Sequence, residues 1–296
     1  MKIFGKALGM LLSAAMTVGL GTGVIAAPAQ AAEKSINIGW TAWSDAEAVT
    51  KLAKAVIEER YGYKVELTMA DIGIQYQGIA SGKLDAMLMS WQPLTHKPYL
   101  DKVGKDVVDL GPLYTRARLG WVVPDYIPVD QVKSIEDLKK PEVQQKLGGK
   151  IQGIDPGSGL MQASEKALKT YDLKGLQLVS ASDAAMLAAL ERAMKRNEWI
   201  VVTSWSPHWM FANWKLRYLD DPKGALGGLE SVNAIVRKGF YQDHPEIFEF
   251  LNRMVLPIGD LEAMMQEARQ TSYEQAVDNY IKNNKARVDY WVTGKL

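Results

Sequence analysis

KIQGIDPGSGLMQASEKALKTYDLKGLQLVS, residues 150–180, decides the fold. Residues 150–154 read as a strand, Asp155-Pro156-Gly157-Ser158-Gly159 as a turn, 160–171 as a helix and 176–180 as a second strand. A strand that returns to its sheet through a helix points to α/β architecture, and repetition of the unit predicts mainly parallel sheet.

The same alternation extends both ways. Upstream, 36–40, 64–69, 84–89, 107–110 and 119–123 read as strands. Ser44-Asp45-Ala46-Glu47 has capping-box spacing, and Val49, Leu52, Ala53 and Val56 follow at helical intervals until Tyr61-Gly62 stops the run. A helix over 74–80 ends at Gly82. Ser134 and Asp137 repeat the capping spacing before a helix over 134–147. Downstream come a helix at 183–196, strands at 199–203 and 229–236, and amphipathic helices over 245–292. Two series predict two lobes: 32–117 with 229–296, and 118–228. The C-terminal helices would fall back on the first lobe, leaving a cleft where strand ends of both lobes face one ligand.

The first residues read as a targeting segment. Lys2 and Lys6 precede an apolar stretch over 7–25, and Ala29-Gln30-Ala31 has the small-residue spacing of a cleavage site. A membrane anchor is the competing account; the small-residue exit favours removal near Ala31 and a free, periplasmic, monomeric chain. There is no cysteine, which excludes a disulfide scaffold, a thiolate nucleophile and Cys-ligated metal. Beyond the leader, 33 basic side chains face 34 acidic ones, so nucleic acid and anionic membrane are not expected partners. Neither a metal nor a cofactor is expected.

Tryptophan is the outlier, with nine residues. Three strand ends close on it, at Trp40 to Trp43, at Trp91 and at Trp205. One such residue usually packs a core. Three at equivalent ends suggest a shared box for a quaternary ammonium, which cannot hydrogen-bond and is held by ring quadrupoles at about 0.5–2 kcal/mol per ring. The glycine turn offers the opposite chemistry, backbone N–H groups at a helix start that suit an anion, although it is also an ordinary strand-to-helix turn. His96, five residues after Trp91, is a further candidate donor to that anion, or simply a packed histidine. A cation box beside an anion seat describes a zwitterion.

At these residues the chain resembles the OpuAC-like glycine betaine-binding proteins of ABC importers. The resemblance spans nearly all of the chain after the leader. It is carried by residues 153–159, by TSWSPHWMF over 203–211, by LDDP over 219–222 and by WQPLTH over 91–96. It implies a two-lobed periplasmic binding-protein fold of type II with the ligand cleft between the lobes. It also implies uptake of an osmoprotectant with an inner-membrane permease as partner. Residue by residue, the family's cage falls on Trp43, Trp91 and Trp205, its carboxylate-binding histidine on His96, and its amide donors on Gly153 and Ile154. His208 and Trp209 match motif positions behind the cage. Choline-binding relatives carry an acid where this chain has Asp45, which the resemblance makes a candidate secondary ligand residue. They carry a fourth aromatic where this chain has Leu119 and lack the histidine found here as His96, so two of three positions favour a carboxylate-bearing ligand such as glycine or proline betaine. The acid also suits a first helical turn on dipole grounds alone.

Three rivals stand beside this reading: a choline-binding protein of the same fold, an exported enzyme acting on choline derivatives, and a sensor subunit with the same closing cleft. No G-x-S-x-G elbow or H-x-x-x-H spacing supports catalysis.

Overall fold

A computed structural model describes residues 34–295; the expected leader, 1–31, lies outside them. The chain opens with β1 (Ser35–Trp40), α1 (Ser44–Tyr61), β2 (Lys64–Met69), α2 (Ile72–Ala80), β3 (Ala86–Gln92) and α3 (Lys97–Val103). The long β4 (Val107–Pro124) leads to α4 (Pro141–Lys146), β5 (Lys150–Gln152), α5 (Gly159–Thr170), β6 (Gln177–Val179) and α6 (Asp183–Arg196). Then come β7 (Val202–Ser206), α7 (Met210–Asn213), β8 (Leu216–Tyr218) and β9 (Leu229–Arg237). Five helices close the chain: α8 (Phe240–Asp243), α9 (Pro245–Arg253), α10 (Ile258–Gln270), α11 (Tyr273–Asn283) and α12 (Lys285–Thr293).

The strands run in the order β2-β1-β3-β9-β4-β7-β5-β6, with β8 paired to β4. The sheet is mixed, which corrects the mainly parallel expectation. Its two ends are parallel (β2-β1-β3 and β7-β5-β6), but β3-β9, β9-β4, β4-β7 and β4-β8 are antiparallel. The strands expected at 107–110 and 119–123 are one strand, bent by register shifts between Asp109 and Ala117. Gly111 and Arg116 take positive φ there.

Two apolar cores flank that bend. One gathers Ile38 of β1, Val49 and Leu52 of α1, Met87 of β3 and Ile235 of β9. The other, including Trp121, Ile135, Ile151, Tyr171 and Leu226, draws all its buried members from between Trp121 and Leu226. β4 contributes Leu113, Tyr114, Leu119 and Val122 to the first core and Trp121 and Val123 to the second, so its two faces serve different cores beyond the bend. The expected divisions fall inside β4 and at the start of β9. Helices α10 and α11 pack on α1.

Two helix starts differ from expectation. α1 buries its apolar stripe and ends at Gly62 in the left-handed region, but its N-cap is Trp43 and no side chain caps it. Ser44 is drawn instead into a buried polar cluster described below. The helix expected over 134–147 divides into a 3-10 turn, Ile135–Lys139, and α4. Pro141 forces Lys140 into an extended conformation, ending the first turn. The Ser134–Asp137 capping box is present.

Candidate functional site

The three expected tryptophans meet. Trp43 follows β1, Trp91 lies in β3 and Trp205 in β7; all are buried and line one cavity with His96, Ile154 and Leu119. Thr95, Ser158, Gly159 and Leu160 complete it, so among the described residues no charged side chain lines the space. The space these side chains enclose is tight, about 20 Å³, well under the roughly 300–1,000 Å³ usual for open small-molecule sites. Trp91 and Trp205 each precede, by two residues, a proline in a cis peptide bond.

Every indole N–H in the box has a partner away from the ring faces. Trp91 Nε1 donates to the Met89 thioether at 3.1 Å, Trp43 Nε1 to Asp155 Oδ2 at 2.9 Å and Trp205 Nε1 to Asp45 Oδ1 at 3.1 Å. A donor bonded in the ring plane leaves the electron-rich face free for a cation. Behind Trp205, the His208 ring meets it edge-on at a centroid distance of 4.7 Å.

Asp45 does not line the cavity. It is fully buried, and its second oxygen accepts the Tyr114 hydroxyl at 2.7 Å. Burial raises its carboxyl above the usual range, against the pull of the Tyr114 donor. Its place as a secondary ligand residue is thereby corrected: both oxygens serve neighbouring side chains.

The polar groups that line the cavity are neutral. His96 Nδ1 accepts the Trp91 backbone N–H at 3.1 Å, which assigns the imidazole proton to Nε2. Burial pushes this histidine down to about 3, so it is neutral near pH 7. Tyr76 and Tyr99 hold the ring edge-on, at 5.8 and 5.9 Å between centroids. The expected Gly153 donor requires correction. Its N–H is committed to the Val179 carbonyl at 2.8 Å, and a Cβ there would collide with Met161 Sδ at 2.4 Å. Gly153 thus closes the packing beneath the site. The N–H of Ile154, which lines the cavity, has no such partner among the described residues.

The helix-start N–H groups expected after the glycine turn lie at the start of α5. Ser158 caps α5 by accepting the Met161 N–H at 3.1 Å, while Gly159 and Leu160 present first-turn amides. The turn itself was the available signal. Glu230 was not legible: it accepts the Leu94 and Thr95 N–H groups, each at 2.9 Å, and so fixes the loop that carries His96.

Ser44, His208 and Asp183 lie together but lack the geometry of a nucleophilic triad. Ser44 Oγ lies 3.3 Å from His208 Nε2 and donates to Asp183 Oδ2 at 3.2 Å, while His208 Nδ1 accepts the Met210 N–H. The aspartate is therefore on the serine side, not on Nδ1, and all three residues are buried. Among the described residues no group of three or more histidine, aspartate or glutamate side chains could hold a metal, and no helix is long and apolar enough to cross a membrane.

Comparison with known proteins gives concordant findings. The family described as the substrate binding domain of ABC-type glycine betaine transport systems matches residues 34–283. A glycine betaine/carnitine transport binding protein of Listeria monocytogenes is 39% identical over 185 residues, which are 62% of this chain and 58% of that protein. The chain thus spans less than two thirds of that curated relative. Lactococcal OpuAC, solved closed and complexed with glycine betaine, superposes with a TM-score of 0.82 at 39% identity, covering 88% of this chain and 100% of that one. A choline-binding protein solved with choline gives 0.79 at 25% identity, over 88% of this chain and 92% of that one. The fold is the two-lobed binding-protein fold of type II.

Proposed function

The chain belongs to the family of substrate-binding domains of ABC-type glycine betaine transport systems, and on that premise we propose that it captures glycine betaine, or a close analogue such as proline betaine, for an ABC importer. Trp43, Trp91 and Trp205 cage the trimethylammonium. His96 Nε2–H and the Ile154 N–H hold the carboxylate, with the α5 start behind them. The observation that carries this reading is a small cavity lined by three tryptophans and neutral donors, with no charged side chain. A lone cation would leave those donors unpaired, and a lone anion would leave the ring faces unused.

The first lobe spans 32–117 with 229–296 and the second 118–228. The ligand bridges them and shifts an open–closed equilibrium toward the closed form, which the inner-membrane permease reads. The working protein is periplasmic after cleavage near Ala31, monomeric, and not an enzyme.

Calorimetry with glycine betaine and choline tests the ligand. Tight betaine binding with weak choline binding is expected, and the reverse order overturns the assignment. Trp205→Ala removes one cage wall and should weaken betaine by more than about 1 kcal/mol.

A further inference from the structure

Two indoles of the box are held by carboxylates from across the cleft. Trp43, in the first lobe, donates to Asp155 in the turn before α5, 112 residues away. Trp205, in the second lobe, donates to Asp45 at the start of α1. The two bonds run in opposite directions across one interface. Asp45 is fully buried, whereas Asp155 is half-buried at the rim and does not line the cavity. Its turn is also gripped from the first lobe, since the Tyr99 hydroxyl donates to the Gly157 carbonyl. Gln162 Nε2, on the second lobe, donates back to the Tyr99 hydroxyl at 2.7 Å.

We propose that Asp155 is a positioning residue that fixes the Trp43 indole across the closed cleft, so that the aromatic box is complete only when the lobes meet. The inference rests on the cation-box reading above. An ionised acceptor makes the stronger class of hydrogen bond, and one bond in the ring plane sets the plane of the whole indole. With the lobes apart, Trp43 loses this partner and regains rotamer freedom that the ligand would have to remove. With the lobes together, the ring is already oriented, its face is free, and binding and closure become one event. The carboxylate at the N–H edge also adds negative character to the ring, which favours a cation at the face.

The test is a double-mutant cycle read by glycine betaine calorimetry. Asp155→Ala should weaken binding about tenfold, the scale of one charged hydrogen bond. Asp155→Asn, whose amide oxygen still accepts, should recover most of the loss. With Trp43→Phe in place, which keeps a ring but no N–H, Asp155→Ala should cost less than about twofold. Asp155→Ala within about twofold of wild type, or an equal loss on the Trp43→Phe background, overturns the proposal.

If the wild-type chain binds no betaine, the ligand reading fails, and the positioning role is judged without ligand. In the ligand-free chain, NMR should find the Trp43 indole N–H exchanging about tenfold faster or more when Asp155→Ala is added, with the Trp205 N–H unchanged. Equal exchange rates overturn the role.

Discussion

His96 shows how much of a site one residue can hold, and how much of it a sequence conceals. Its place five residues after Trp91 made it a candidate donor, but its charge depends on a buried neighbour that spacing does not reveal. The Trp91 N–H occupies Nδ1, and burial holds the ring down to about 3. Protonation therefore costs stability. An unfolded histidine titrates near 6.5, so below that pH the unfolded chain binds more protons than the folded one. Stability should fall as pH drops from about 6.5 toward about 3, by about 1 kcal/mol per pH unit from this group. Denaturant unfolding of wild type and His96→Gln checks it; the variant should lose that increment of slope, and equal slopes would mean the ring is charged in the fold. The tryptophans were legible because a rare aromatic recurred at strand ends. The partners of Ser44 and Asp45 were not, because Asp183, Trp205 and His208 lie 139–164 residues away.

At the scale of elements, local pattern succeeded wherever local forces decide and failed where a distant partner wins. The α1 stripe and the Gly62 stop follow from helical spacing and the left-handed glycine. Ser44 had capping spacing, yet the cluster with Asp183, His208 and Trp209 takes its hydroxyl. The strands expected at 107–110 and 119–123 are one β4, because pairing with β9 carries the chain through the intervening residues with register shifts. Helix α5 carries a prediction of its own. Its first residue, Gly159, has ordinary φ, but a Cβ would meet Thr95 Cγ2 at 2.4 Å, the Thr95 carbonyl at 2.8 Å and His96 Cδ2 at 3.1 Å. Gly159→Ala should favour the helix locally while obstructing the approach of the lobes. Overpacking of this kind costs about 1–3 kcal/mol, so betaine affinity should fall about tenfold while ligand-free stability changes by less than about 1 kcal/mol. Calorimetry and denaturant melts on the same sample separate the two effects; lost stability with unchanged affinity would place the clash elsewhere.

For the molecule as a whole, alternating strands and helices disclosed α/β architecture but not strand direction. The hydrophobic pattern of β9 is the same whichever way its neighbours run, so the antiparallel centre of the sheet had to come from pairing. Helix α10 also meets the segment after β7: Arg269 lies 4.0 Å over the Trp209 ring. The uncharged cavity has a consequence for where this protein can work. Beyond residue 31, 33 basic side chains nearly balance 34 acidic ones, so little net field steers a ligand. Ring faces and backbone dipoles act at contact, inside the ~3 Å over which even 1 M salt screens. Betaine affinity should therefore change by less than about twofold between about 0.05 and about 1 M sodium chloride, measured by calorimetry. A site held by ion pairs would weaken in brine; this one would bind in seawater much as it does in rain.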